Sequence, residues 1–132
     1  MDHKYLQELL TDLIRTWENE IIEFKEVGDS YSTSDIGKYF SAISNEANLR
    51  NKEKGWLVFG VNNKTRKVTG TDYRMEADRL QSLKMQIADD TEPGITFRNI
   101  HEIYINDKRV VMFEIPAAPK GIPISWKGHY YS

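Results

Sequence analysis

The run Trp56-Leu57-Val58-Phe59-Gly60-Val61 constrains the fold more than any other segment. It holds no charged or polar side chain, so neither face of the strand it forms can be turned to water. A strand of this kind is buried on both faces. Turn residues Asn62-Asn63-Lys64 follow it, and Lys67 to Thr69 reads as a short returning strand.

The flanking segments supply material to cover such a strand. Leu6, Leu9, Leu10, Leu13, Ile14 and Trp17 recur at three- and four-residue spacing and form one apolar helical stripe. Residues 21–25 alternate as a short strand, with Ile22 and Phe24 on one side and Glu23 and Lys25 on the other. Gly28, Asp29 and Ser30 mark a turn. Ser32-Thr33-Ser34-Asp35 then offers a hydroxyl cap to a helix whose inward stripe is Ile36, Tyr39, Phe40, Ile43 and Ala47.

Asn48 to Gly55 reads as a polar loop. The spacing predicts a second core helix from about Arg74 to Ala88, with Ala77, Leu80, Leu83 and Ile87 inward, broken by Pro93-Gly94. Residues 95–105 and 109–115 read as a hairpin turning at Asn106-Asp107. Pro116, Pro119 and Pro123 make the tail an irregular edge that ends in an aromatic strand at Tyr130-Tyr131. The expected class is α+β, a mixed or antiparallel sheet with hairpins, packed against two core helices plus an N-terminal helix. At 132 residues, with no repeat or linker, the chain reads as a single domain.

Composition narrows the function. No apolar run approaches the roughly 20 residues of a membrane helix. The acids Asp2, Glu8 and Asp12 interrupt any signal-peptide core near the N-terminus. The absence of cysteine excludes a disulfide framework, a thiolate zinc site and a cysteine nucleophile. A cytoplasmic location and no membrane partner are therefore expected.

The net charge of −2 conceals an asymmetry: residues 1–30 carry eight acids and three bases, whereas residues 31–70 carry seven bases and three acids. Lys52 and Lys54 precede the central strand, and Lys64, Arg66 and Lys67 follow it. Basic side chains on flanking loops suit phosphate contacts, which position a nucleic acid without reading its sequence. A solvated lysine-rich hairpin tip carries the same composition.

Other constellations are weaker. Glu18, Glu20 and Glu23 followed by Lys25 have the chemistry of a hard-cation site for Mg²⁺ or Mn²⁺, with the lysine beside an attacking water. A solvated acidic corner has the same residues. Asn45, beside the inward stripe of its helix, suits the capping of a neighbouring backbone group. His3, His101 and His129 have no metal-ligand spacing, and no GxxxxGK[ST] phosphate loop occurs. Trp17, Trp56 and Phe59 sit at core spacing, while Tyr130 and Tyr131 are candidates for stacking on bases.

Four stretches in order resemble one family: Glu18 to Lys25, Ile36 to Asn45, Gly55 to Asn63 with Val68-Thr69-Gly70-Thr71, and Glu114 to Ala118 leading to Pro123 and Tyr130-Tyr131. Together they resemble the Schlafen Alba-like DNA-binding domain. The resemblance implies a compact α+β module at the N-terminus of bacterial transcriptional regulators, some labelled helicase-related or divergent ATPases. It implies a DNA partner and a domain cut from a longer protein, since relatives continue beyond the Tyr-Tyr strand, and no cofactor is expected unless Mg²⁺ or Mn²⁺ serves a nuclease.

Some Schlafen relatives are metal-dependent RNA endonucleases. The resemblance would place their two glutamates at Glu18 and Glu23 and their aspartate at Asn62 or Asn63. Both positions are amides here, so one negative charge is missing, and affinity for Mg²⁺ or Mn²⁺ falls with it. A binding module is accordingly expected ahead of an enzyme. The remaining alternative is an interaction or homodimerisation domain that pairs through the edge from Pro116 to Trp126.

Overall fold

The computed structural model describes residues 2–15 and 21–132. Trp17, Glu18 and Glu20 lie outside the described residues. The elements run α1 (His3–Arg15), β1 (Ile22–Lys25), α2 (Thr33–Leu49), β2 (Lys54–Phe59), α3 (Ala77–Gln81), α4 (Leu83–Asp90) and β3 (Thr91–Glu92). They continue with β4 (Asn99–Ile105), β5 (Lys108–Pro116), β6 (Ser125–Trp126) and β7 (His129–Tyr130). A four-stranded sheet has the order β1-β2-β5-β4, and a small sheet has the order β3-β6-β7. The architecture is α+β, as expected.

The apolar run forms the inner strand β2, paired in parallel with β1 and antiparallel with β5. Its side chains divide by parity. Trp56 and Val58 join Ile22, Phe24, Val110 and Met112 under Leu6 and Leu10 of α1. Leu57 and Phe59 join Phe113, Ile115 and the inward stripe of α2 on the opposite face. Each fully buried leucine or phenylalanine of this kind contributes roughly 1.5–3 kcal/mol. The strand requires cover on both sides, and α1 and α2 provide it.

Local chemistry places the ends of α2. The Ser32 hydroxyl accepts a hydrogen bond from Asp35 N at 3.0 Å, the expected cap. At the other end, Asn51 N donates to Asn48 O (3.1 Å) and Lys52 N to Ala47 O (2.8 Å). Asn51 has φ 56. This is a Schellman closure with asparagine in the left-handed position. The helix therefore extends to Leu49, and the polar loop expected from Asn48 is shorter than the composition suggested.

Three further expectations change. The helix expected over residues 74–88 is two pieces meeting at Ser82, and Ala77 is exposed. Arg74, at φ 41, lies outside both, with its N–H held by Asp29 Oδ1 at 2.8 Å. Lys67 to Thr69 makes only one bridge, Val61 to Val68, instead of a strand. Gly60 ends β2 at φ 103, and a Cβ there would lie 2.9 Å from Arg109 O. The hairpin turn at Asn106 and Asp107 is as expected, with both residues at positive φ (49 and 65).

The proline-rich tail is not a free edge. β6 is bordered by β3 on one side and β7 on the other. Ile124, Ser125 and Trp126 are buried. The indole of Trp126 lies on Gly37 of α2, where a Cβ would come within 2.1 Å of the ring. Glycine inside a helix costs about 1 kcal/mol relative to alanine, and here it makes room for the indole. Gly37→Ala is expected to lower unfolding stability by about 1–3 kcal/mol through overpacking. Urea denaturation checks this, and an unchanged midpoint would show that the tail is not seated on α2.

Candidate nucleic-acid interface

The parallel β1–β2 pair brings two loops to one end of the sheet. β1 leads into the turn before α2, and β2 leads through Gly60 into the Asn62–Lys67 turn. Gly60 N donates to Lys25 O at 2.9 Å, and Asn62 Nδ2 donates to Glu26 Oε1 at 2.5 Å. Asn62 Oδ1 in turn accepts from Lys64 N (2.9 Å) and Thr65 N (2.8 Å). The amide thus shapes the basic turn, as short polar side chains do in Asx turns. Lys64 and Lys67 project from it into solvent.

Arg66 is held against the protein. Its guanidinium lies 4.6 Å from the centre of the Phe24 ring and donates to Asn63 O (2.9 Å) and Ile14 O (3.3 Å). The side chain therefore ties the turn to the end of α1 and leaves Lys64 and Lys67 as its outward cations.

Lys25 occupies the α2 face at the same end of the sheet. Its ammonium lies 5.4 Å from the centre of the Tyr39 ring. Lys25, Tyr31, Asp35, Lys38, Tyr39 and Tyr131 line an open cleft of about 450 Å³. Burial, with smaller contributions from Tyr39, Asp35 and Glu23, pushes the Tyr31 phenol up to about 12, so it stays neutral. Asp35 lies 4.0 Å from Lys38 and partly offsets its charge. The cleft thus combines cations with aromatic rings.

The five expected phosphate ligands do not form one surface. Lys52 and Lys54 lie at the opposite, amino end of β2. Lys52 is exposed on the loop that closes α2. Lys54 Nζ is bonded to Glu114 Oε2 at 3.1 Å and lies 5.4 Å from the centre of a Trp56 ring. Its charge is used within the sheet. The reason is register: Trp56 is opposite Glu114, which puts Lys54 diagonally next to a buried carboxylate.

Glu114 is 3% exposed. Its Oε1 lies 3.2 Å from His101 Nε2 and 3.4 Å from Asn99 Nδ2. Burial pushes its pKa up, but the hydrogen bonds from His101, Lys54 and Asn99 together outweigh this and hold it below the ordinary glutamate value. Asn99, His101 and Glu114 share the predicted hairpin, whereas Lys54 joins them only through the pairing of β2 with β5.

Of the implied metal site, Glu18 lies outside the described residues, and Glu23 and Asn62 are described. Glu23 and Lys25 share one face of β1, but the Asn62 oxygen is spent on the turn and carries no charge. Among the described residues no group of three histidine, aspartate or glutamate side chains is placed to hold a metal ion. Asn45 proves structural: Nδ2 donates to Ile124 O and Tyr131 O (both 3.0 Å), and Oδ1 accepts from Ile124 N (2.7 Å). No helix among the described residues is long and apolar enough to cross a membrane.

The family model described as Schlafen, AlbA_2 matches residues 18–132. The chain belongs to this Schlafen AlbA_2 family. Its fold is also that of two solved structures. One is the DIP2311 protein of Corynebacterium diphtheriae, with a TM-score of 0.55 and 16% identity, covering 96% of this chain and 24% of that one. The chain thus spans about a quarter of that protein. The other is the N-terminal domain of a protein from Nitrosomonas europaea described as related to the ATP-dependent DNA helicase RecG. It has a TM-score of 0.61 and 19% identity, and the match covers 95% of this chain and 86% of that one. At these identities the likeness shows the fold alone. Among curated proteins, none matches the chain.

The Glu114 cluster carries a pH prediction for this Schlafen AlbA_2 domain. A depressed carboxyl pKa adds stability that is present above the unfolded value, about 4.3, and lost as pH falls through the folded value. Glu114→Gln is expected to cost about 1–3 kcal/mol at neutral pH and progressively less in acid. Urea titrations across that range test it, and a penalty that does not shrink in acid would contradict the ionic arrangement.

Proposed function

We propose that this chain is a nucleic-acid-binding module, acting on DNA within a larger bacterial, cytoplasmic transcriptional regulator. One observation carries the reading: the carboxyl end of the parallel β1–β2 pair presents Lys25, Lys64, Lys67 and Lys38, the last 4.0 Å from Asp35, whereas at the amino end Lys52 is exposed and Lys54 is paired with Glu114. The chain leaves this end by two loops, one into α2 and one into the turn over residues 62–67. Family membership supports the class of partner, and the match to only a quarter of DIP2311 supports a role as one part of a longer protein.

Binding of this kind rests on phosphate contacts and is composite with other domains, because the chain as a whole is slightly acidic. The homodimer alternative is weaker, since β6 within the expected edge already has strands on both sides. The nuclease alternative has an amide at Asn62 where a carboxylate is implied, and its oxygen accepts from Lys64 N and Thr65 N.

Fluorescence polarisation of labelled duplex DNA against the 132-residue chain tests the proposal. Affinity is expected to fall steeply with salt. Changing Lys64 and Lys67 together to alanine is expected to weaken binding about tenfold and to reduce the log–log salt slope by about 0.9 for each phosphate no longer neutralised. Lys52→Ala is expected to change it little. Equal losses at both ends of β2, or binding indifferent to salt, would overturn the assignment.

A further inference from the structure

The cleft beside Lys25 is bounded by Tyr131. Tyr131 and Ser132 also line a second, more apolar cleft of about 400 Å³ with Asn48, Leu49, Ile122 and Tyr130. The two clefts share Tyr131 and Ser132 in their walls and lie one after the other along α2, the first beside Asp35 near its start and the second beside Leu49 at its end. Fourteen helical steps make that track about 21 Å long. At about 3.4 Å per nucleotide along one strand, it matches roughly six stacked nucleotides.

This pair of clefts, the α2 groove, changes character along its length. At the β1 end it presents two ammonium groups, Lys25 and Lys38, and the Tyr31 and Tyr39 rings. At the far end it presents exposed apolar groups: Leu49 is 72%, Tyr130 65% and Ile122 52% exposed. Large apolar side chains clustered in one cleft mark a binding surface. The floor between the ends is fixed. Tyr131 N donates to Ser41 Oγ at 3.2 Å, and Tyr131 O accepts from Asn45 Nδ2. These bonds anchor the backbone beside both rings before any ligand arrives, which lowers the cost of binding.

Cations at one end, aromatic faces along the wall and an apolar cleft at the other end match unpaired bases, not a closed helix. A duplex keeps its base faces covered and offers phosphates and groove edges, whereas a single strand offers faces that stack on aromatic side chains. Of the two cations, Lys38 lies 4.0 Å from Asp35, which partly offsets its charge. Resting on the nucleic-acid reading above, we propose that the α2 groove binds single-stranded nucleic acid, with a base against Tyr130 in the Leu49–Ile122 cleft and the backbone running towards Lys38 and Lys25.

The test compares fluorescein-labelled oligo(dU) and oligo(U), each about ten nucleotides long to exceed the groove, with a labelled hairpin duplex. Each is titrated with the 132-residue chain at two salt concentrations. The single strands are expected to bind more tightly than the duplex. Tyr130→Ala removes an exposed ring and is expected to weaken single-strand binding about 5- to 150-fold, the range of one base stack. It should leave the salt slope and the duplex affinity unchanged, and Tyr130→Phe should restore single-strand binding. A difference between oligo(dU) and oligo(U), which share the base and differ only in the sugar, tells DNA from RNA as the source of the strand. Duplex binding that equals or exceeds single-strand binding, or an unaltered affinity in Tyr130→Ala, would overturn this inference and leave the nucleic-acid reading standing. Absence of binding to all three probes would overturn both.

Discussion

Burial of β2 on both faces is the constraint on which the rest of the structure depends. Leu57, Val58 and Phe59 are wholly inaccessible to water, and alternate residues of the strand enter different cores. One core is closed by α1, which is also tied to β4 where Gln7 Nε2 donates to Tyr104 O at 2.8 Å. The other is closed by α2. Because β1 and β2 are parallel, the chain must cross over between them, and α2 is that crossover. The same connection puts the start of α2 and the turn after β2 at one end of the sheet. The arrangement of the candidate interface is thus a consequence of how the central strand is covered.

Buried polar groups then organise what the apolar core leaves open. Asn45 and Ser41 satisfy the backbone of Ile124 and Tyr131, holding the tail along α2. Arg109, 4% exposed, donates to Thr71 O, Tyr73 O and Arg74 O and to Glu102, binding the loop that follows Gly70. Glu114 gathers Lys54, His101 and Asn99. Each cluster centres on one buried polar side chain, Asn45, Arg109 or Glu114, whose loss removes the partner of several groups at once. They explain why Lys54, basic and loop-proximal by its position in the chain, is an internal ion-pair partner.

Much of the fold was legible because local signals agreed. The apolar run, the Ser32 cap, the parity of Ile22 and Phe24, and Asn106-Asp107 each predict an element that the structure contains. Features set by distant contacts were not legible. The break at Ser82 and the exposure of Ala77 depend on how a short helix meets the sheet. The burial of Trp126 depends on Gly37, 89 positions earlier. Of the candidate site, Lys64 and Lys67 were legible as a solvated basic turn, while Arg66 was not distinguishable from them until Phe24 lay beside it. Lys38, Tyr31 and Tyr39 carry no local sign of a ligand role, because only the crossover brings them beside Lys25.

On the proposed reading, nucleic acid meets the protein at the carboxyl end of the β1–β2 pair and along α2. The most direct test is backbone amide chemical-shift mapping of the 132-residue chain during titration with a short oligonucleotide. Shifts confined to Lys25, Lys38, the turn over residues 62–67 and the tail around Tyr130 are the predicted result. Shifts centred on Lys52 and the amino end of β2, or spread evenly over the molecule, would contradict it.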